Sequence, residues 1–397
     1  MKYLVLLGDG MADEPMDELG GKTVLQAART PFMDRLASAG ELGMAQTVPA
    51  AYHPGSDVAN LSVFGYDPAS CYTGRSPLEA ASMGVRLAPE DVAFRLNLVD
   101  IVHHQGKLYM ADFAAGHISS GEARELILSL QDELGDADFE FHPGVSYRHL
   151  LVWRNGEDRL RFVPPHDIIN QSIEDKMPQG QGAEVLINLM TSAQMLLKNH
   201  PVNLRRIRDN QVPASSIWLW GHGRAPQMPT YAEKFGISGA VISAVDLIKG
   251  IGDYAGLEVI EVPGATGYVD TNYAGKAAAA IDALSRHDFV YLHVEAPDEA
   301  GHAGNLEEKI RAIERFDAEI VGAVLQQLSE PYRLLLLPDH PTPLHLRTHS
   351  RDPVPYVLYD SRQDRASGLT YCEQAAHSTG RFCEQGHLLL PQLLQRA

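Results

Sequence analysis

"VYLHVEAPDEAGHAGN", residues 290–305, begins as a strand and then changes character. The alternating apolar residues Val290, Leu292 and Val294 give way to Glu295, Asp298, Glu299 and His302, so a buried run ends in acids and an imidazole. Asp298 and His302 stand four positions apart, with Gly301 and Gly304 loosening the backbone around them. A carboxylate beside an imidazole offers the O and N donors that a borderline divalent metal takes, although an isolated Asp-x-x-x-His more often lies in a solvated loop. Further ligands must then come from other strand ends.

Working outward, continuous apolar runs bounded by Gly, Pro or Asp occur at residues 3–7, 217–220, 289–294, 333–337 and 354–359. Helical patterns lie between several of them, at 23–39, 239–248, 273–284 and 307–328. Strands alternating with helices predict an α/β fold, a doubly wound and mostly parallel sheet covered on both faces. The middle of the chain differs. Residues 117–181 offer one helical pattern, 120–134, then short segments at 139–141, 146–153 and 160–163 separated by turn residues. That pattern predicts a small α+β module inserted into a discontinuous core of residues 1–116 and 182–397, with "VPPHD" and "MPQGQG" as the return connection.

Composition narrows the function. The chain has 397 residues, 45% of them hydrophobic and 21% charged, which assures a sizeable core. A formal charge of -18 repels phosphate backbones and anionic lipids, and no Lys/Arg block offsets it, so neither nucleic acid nor a membrane surface is expected as a partner. Cys71, Cys372 and Cys383 form no C-x-x-C pair, which argues for a reducing compartment and against a zinc–thiolate site. The opening apolar run ends at Leu7, too short for a signal-peptide core, and is followed by acids. No later stretch approaches the length needed to span a bilayer. The expectation is a soluble, cytoplasmic protein; its oligomeric state is left open.

In a doubly wound sheet, chemistry gathers outside the carboxyl ends of the parallel strands. The first strand ends in Gly8-Asp9-Gly10, the run 333–337 ends in Pro338-Asp339-His340, and "LRTHSRDPVP" adds His349. Each alone is commonly a turn former or a surface residue. Together with Asp298 and His302 they exceed what one tetrahedral ion needs, which points to a two-metal site bridged by a reacting oxygen. A nucleophile is offered by "HPGSDVANLSVFGYDP", where Ser56 follows Gly55 and opens a helix. Serine there is commonly a cap, yet the same place favours an alkoxide or a phosphate. Ser62 competes from inside the helix.

The segments "GDGM", "GSDVANLSVFGYDP", "YTGRSPLEA", "PDEAGHAG", "PDHPTP" and "THSRDPVP" resemble, in order and spacing, the cofactor-independent phosphoglycerate mutases of the archaeal type, members of the alkaline phosphatase superfamily. The similarity runs over nearly the whole chain and includes "HPGVSYRHLLV", "WLWGHG" and "GATGYVDTNY". It implies an alkaline-phosphatase-like sheet and an isomerase that interconverts 2-phosphoglycerate and 3-phosphoglycerate without 2,3-bisphosphoglycerate. It also implies two divalent metal ions, manganese first, with magnesium, cobalt or zinc as alternatives. One ion would be held by Asp9, Ser56, Asp339 and His340, the other by Asp298, His302 and His349, with Ser56 carrying the phosphoryl group.

On that reading the partner is a small phosphorylated acid. Its carboxylate would be met by Arg75, Arg95, Arg148 and Arg224 as forked donors, and His117 in "AAGHIS" would act as a general acid or base. Asn60 departs from the histidine of many archaeal members, and the strings "PDHPTP" and "RTHSRDPVP" look like a bacterial branch, some members of which have been proposed as homoserine kinases. A kinase would need a nucleotide site, and no Walker-type loop is present. A metal-dependent phosphatase or phosphodiesterase would share the metals and the serine; an acidic cation-binding structural protein would need no serine among the ligands.

Overall fold

The strand Lys2–Gly8 lies between Phe289–Val294 and Tyr332–Leu337 and runs parallel to both. All three are apolar almost throughout because helices cover the sheet on both faces. The computed structural model describes residues 1–363 and 365–395. Contacts divide the chain into one unit of Met1–Tyr72 with Gln227–Ala397 and a second of Thr73–Pro226.

In the first unit eight strands form one sheet, in the order Glu258–Val259, Gly239–Ile242, Phe289–Val294, Lys2–Gly8, Tyr332–Leu337, Val354–Asp360, Glu41–Ala45, Phe382–Cys383. Among the described residues only Val354–Asp360 runs antiparallel to its neighbours, so the sheet is mostly parallel, as the strand–helix alternation predicts. On the helix Tyr273–Arg286, Tyr273, Ala277, Ala280 and Leu284 recur at three- and four-residue steps and enter the same core as Leu4, Leu6 and Leu292.

Three helical expectations change in detail. Residues 239–248 hold a strand, Gly239–Ile242, before the helix Asp246–Tyr254 begins. Four fully buried residues carry too little periodicity to separate strand from helix, and pairing with Phe289–Leu292 decides it. The pattern 23–39 breaks into Val24–Ala27 and Pro31–Ala39, with proline at the second helix's first turn. The pattern 307–328 is continuous but passes through one π-helical turn, Phe316–Val321. Asp317 on that turn accepts the backbone N–H of Met33 at 2.7 Å and of Phe32 at 3.3 Å, serving a helix start whose own Thr30 makes no side-chain cap.

The second unit is wider than the expected module of residues 117–181. Its antiparallel sheet is built on Val92–His104, which pairs with Lys107–Asp112, Arg148–Trp153 and Ser216–Arg224, while Phe139–Val145 pairs with Arg148–Trp153. The strand Val92–His104 escapes sequence reading because Arg95, Asn97 and Asp100 interrupt its apolar run. Residues 217–220, expected in the parallel sheet, belong here, drawn in by the long pairing with Val92–Val99. The helix Ser120–Leu134 lies where its periodicity predicts, capped by Ser119. Among the described residues no helix is long and apolar enough to cross a membrane. Cys71, Cys372 and Cys383 are free and buried.

Candidate active site

Because Gly8 pairs with Val294 and Leu7 with Leu337, three parallel strands end level with one another. Their ends deliver Asp9, the segment Glu295–Asp298 and the pair Asp339–His340 to one edge of the sheet. Gly10 completes the turn after Asp9 with φ 61, and a Cβ there would fall 2.7 Å from Asp298 Oδ1 and 2.6 Å from Thr342 Oγ1. Asp298 and His302 share one face of the short helix Ala296–Ala303, and Asp298 Oδ2 lies 3.2 Å from His302 Nε2. His349 Nε2 stands 2.9 Å from His302 Nε2 and 3.5 Å from Asp298 Oδ1.

Among the described residues three groups of side chains bring ligand atoms close enough to hold a cation: Asp9, Asp339 and His340; Asp298, His340 and His349; and Asp9, His293 and Glu295. His340 thus joins both of the groups anticipated from sequence. His302 lies against the second group through Asp298 and His349. Its Nδ1 is 3.0 Å from the Arg347 carbonyl, a contact that makes Nδ1 the donor and turns Nε2 toward the cluster.

The helix Ser56–Val63 begins with the serine as its first helical residue, while the extended Gly55 occupies the cap position. Ser56 therefore does not cap the helix, and its Oγ lies 3.1 Å from His340 Nε2. Ser62 is buried and donates to the Val58 carbonyl at 3.3 Å, which removes it as a competitor.

The charges here need a partner. Burial, followed by the negative charges of Asp339, Glu295 and Asp298, pushes the Asp9 carboxyl well above the ordinary carboxylate range. Burial followed by Asp298 pushes Glu295 up to about 8. Asp298 goes the other way: burial works to raise it, but bonds from His302 and His349 outweigh that and hold it low. Asp9 Oδ1 and Glu295 Oε2 are buried with no hydrogen-bond partner. Orphaned carboxylate oxygens among imidazole nitrogens, with no thiolate, suit divalent cations of the magnesium-to-zinc range.

His293 was missed from sequence as a member of this edge, and Glu295, named there among the acids that end the run, was not assigned as a ligand. The buried His293 Nε2 is 2.8 Å from Asp9 Oδ2 and 3.4 Å from Glu295 Oε2, and Nδ1 is 3.0 Å from Ser243 Oγ. The available signal for His293 was a histidine among the apolar residues of a strand otherwise buried on both faces.

The remaining expected residues lie in the second unit. Glu79 gathers Arg75 at 2.9 Å and Arg95 at 3.1 Å, and Arg95 stacks on Trp220 at 4.4 Å. Burial works to raise the Glu79 carboxyl, but Arg95 and Arg75 outweigh it and hold it below its usual range, with Arg148 adding to the effect. Arg148 lies over Tyr147 at 5.9 Å, and the exposed His117 packs edge-on to the same ring at 5.9 Å. Arg224 pairs with other acids, Asp158 at 2.8 Å and Glu90 at 3.1 Å, and donates to the Gly156 carbonyl at 2.9 Å.

Comparison with known proteins bears on the family of the whole chain. The family model for 2,3-bisphosphoglycerate-independent phosphoglycerate mutase matches residues 37–203. A Geobacter sulfurreducens protein named "Probable 2,3-bisphosphoglycerate-independent phosphoglycerate mutase" is 60% identical over 100% of both chains. The Methanosarcina acetivorans 2,3-bisphosphoglycerate-independent phosphoglycerate mutase is 54% identical over 96% of each chain. Among solved structures, the cofactor-independent phosphoglycerate mutase of Thermoplasma acidophilum superposes with a TM-score of 0.67 at 26% identity, covering 100% of this chain and 99% of that one. A Pyrococcus horikoshii protein reaches 0.85 at 29% identity over 99% and 96%. With identity of this level along its full length, the chain belongs to the 2,3-bisphosphoglycerate-independent phosphoglycerate mutase family.

Proposed function

We propose that the protein interconverts 2-phosphoglycerate and 3-phosphoglycerate through a phosphoserine at Ser56, with two divalent cations, manganese first among them, and without 2,3-bisphosphoglycerate. The observation that carries the reading is the Ser56 hydroxyl, not used as a helix cap and 3.1 Å from His340 Nε2, at an edge lined by candidate ligands in a chain of this family. Asp9, Ser56, Asp339 and His340 would hold one cation, and Asp298, His302 and His349 the other. Bound there, the cations would lower the hydroxyl pKa and neutralise phosphoryl charge.

Ser56 Oγ attacks phosphorus in line, the Oγ–P bond forms as the ester P–O bond breaks, and the departing glycerate oxygen takes the proton that serine gives up. His117 is the proposed carrier of that proton. Glycerate is retained by its carboxylate, for which Arg75, Arg95 and Arg148 are the proposed donors. Its other hydroxyl then attacks the phosphoserine, and Ser56 recovers its proton. Retention of glycerate separates a mutase from a phosphatase, which would admit water to the same intermediate. The setting that goes with this reading is the cytoplasm.

The test is to incubate manganese-loaded protein with 3-phosphoglycerate while following 2-phosphoglycerate and free phosphate together. Formation of 2-phosphoglycerate in excess of phosphate supports the mutase. Phosphate alone would make the protein a phosphatase.

A further inference from the structure

We infer that Asn60 is a positioning residue for this chemistry: one side-chain amide locks the turn that carries Ser56 to the carboxylate of Asp339. Asn60 is fully buried. Its Nδ2 donates to Asp339 Oδ2 at 2.7 Å and to the Ser56 carbonyl at 2.9 Å, and its Oδ1 accepts from the Tyr291 hydroxyl at 2.6 Å. These three bonds also fix which way the amide points. Turned over, its oxygen would face a carboxylate and a carbonyl while its NH2 faced the tyrosine hydroxyl, exchanging two attractive contacts for two repulsive ones. Tyr291 is itself held by stacking on Phe64, with ring centroids 3.9 Å apart and planes at 15°.

The consequences reach both partners. The other Asp339 oxygen, Oδ1, accepts the backbone N–H of Gly10 at 3.3 Å and of His340 at 3.0 Å. With Asn60 on Oδ2, the carboxylate is pinned at both ends and needs little reordering to meet a cation. The Ser56 carbonyl is anchored by the same amide, which holds that residue's hydroxyl over His340. The rest of the helix Ser56–Val63 could remain folded without this bond, because its ladder is made by backbone groups. Asn60 therefore acts on where Ser56 and Asp339 stand relative to each other.

The inference rests on the mutase reading only for the reaction it serves. Asn60→Ala and Tyr291→Phe are compared with wild type for melting temperature, for manganese affinity of the cation-free protein by calorimetry, and for kcat and KM with 3-phosphoglycerate. The expected result for a folded Asn60→Ala is manganese affinity and kcat each lowered by about 10–100-fold, the range for loss of a ligand-orienting partner, with KM little changed. Tyr291→Phe, which frees only the far end of the amide, should move both quantities the same way by a smaller factor. A folded Asn60→Ala protein with wild-type manganese affinity and kcat overturns the inference. If Asn60→Ala does not fold, Tyr291→Phe decides, and wild-type values for both quantities overturn it. A wild-type protein inactive on phosphoglycerate, with Asn60→Ala still weakened for manganese, would fail the mutase reading and leave the positioning role standing.

Discussion

Ser56 Oγ stands 3.1 Å from His340 Nε2, although 284 positions separate the two residues in sequence. The contact joins the first residue of a helix to the residue that follows Asp339 at the sheet edge. Since Gly55 holds the cap position, the hydroxyl is not spent on the helix and is left to the site.

Ser56→Ala should accordingly retain its melting temperature, because no capping bond is lost. Turnover should drop by orders of magnitude, on the scale of about 10⁶-fold seen when a covalent nucleophile is removed. Label from phosphoglycerate should appear on serine in the wild type and be absent from the variant. Normal turnover by Ser56→Ala would rule out the covalent route.

His340 belongs to two groups of potential ligands, whereas His302 borders one. His340→Ala should therefore weaken binding of both cations, and His302→Ala of one. Metal content after dialysis against a fixed free manganese concentration distinguishes them: about two ions per chain in wild type, one in His302→Ala, fewer in His340→Ala. Full retention in His302→Ala would remove that residue from the centre.

Arg75 and Arg224 should separate by what they change. Arg75→Ala leaves Glu79 paired with Arg95, so the fold should tolerate it while KM for phosphoglycerate rises about 10–100-fold, the cost of a charge-assisted hydrogen bond. Arg224→Ala loses Asp158, Glu90 and the Gly156 carbonyl, and should lower the melting temperature with KM unchanged. A raised KM at constant melting temperature in Arg224→Ala would assign that arginine to the substrate.

Asp317 supplies a pH signature away from the site. Burial, opposed by the N–H groups of Met33 and Phe32, raises its carboxyl from 3.8 to about 6. A carboxyl raised by folding binds its proton more tightly in the folded state, so its stabilising effect is complete below about pH 4 and is lost as pH climbs through about 6. Wild type should thus gain stability relative to Asp317→Asn as pH falls from about 6 to about 4, measured by urea unfolding at a series of pH values. A difference that stays constant with pH would contradict the shift.

The legible residues were those placed where a local pattern breaks. Asp9, Asp339 and His340 stand within three residues of the end of an apolar run and Asp298 and His302 in the segment just beyond one, and polar residues at such a place are visible without knowing their neighbours. His293 and Asn60 were not legible as parts of one site, because their partners lie 284 and 279 positions away, at Asp9 and Asp339. The same reason hid the second unit's extent, since Val92–His104 gains its meaning from pairing with Ser216–Arg224 far along the chain.

By itself, then, the sequence determined the mostly parallel sheet and the family and offered candidate residues for the chemistry, because these depend on periodicity and on short strings whose parts are adjacent. Only the tertiary structure decided that His340 belongs to two ligand groups, that Gly55 rather than Ser56 occupies the cap position, that Arg224 pairs with Asp158, and that Asn60 ties Ser56 to Asp339. Those relations depend on strand register and on which buried donor meets which acceptor. Folding settles them by satisfying polar groups over hundreds of residues at once, and no local window of sequence contains both members of such a pair.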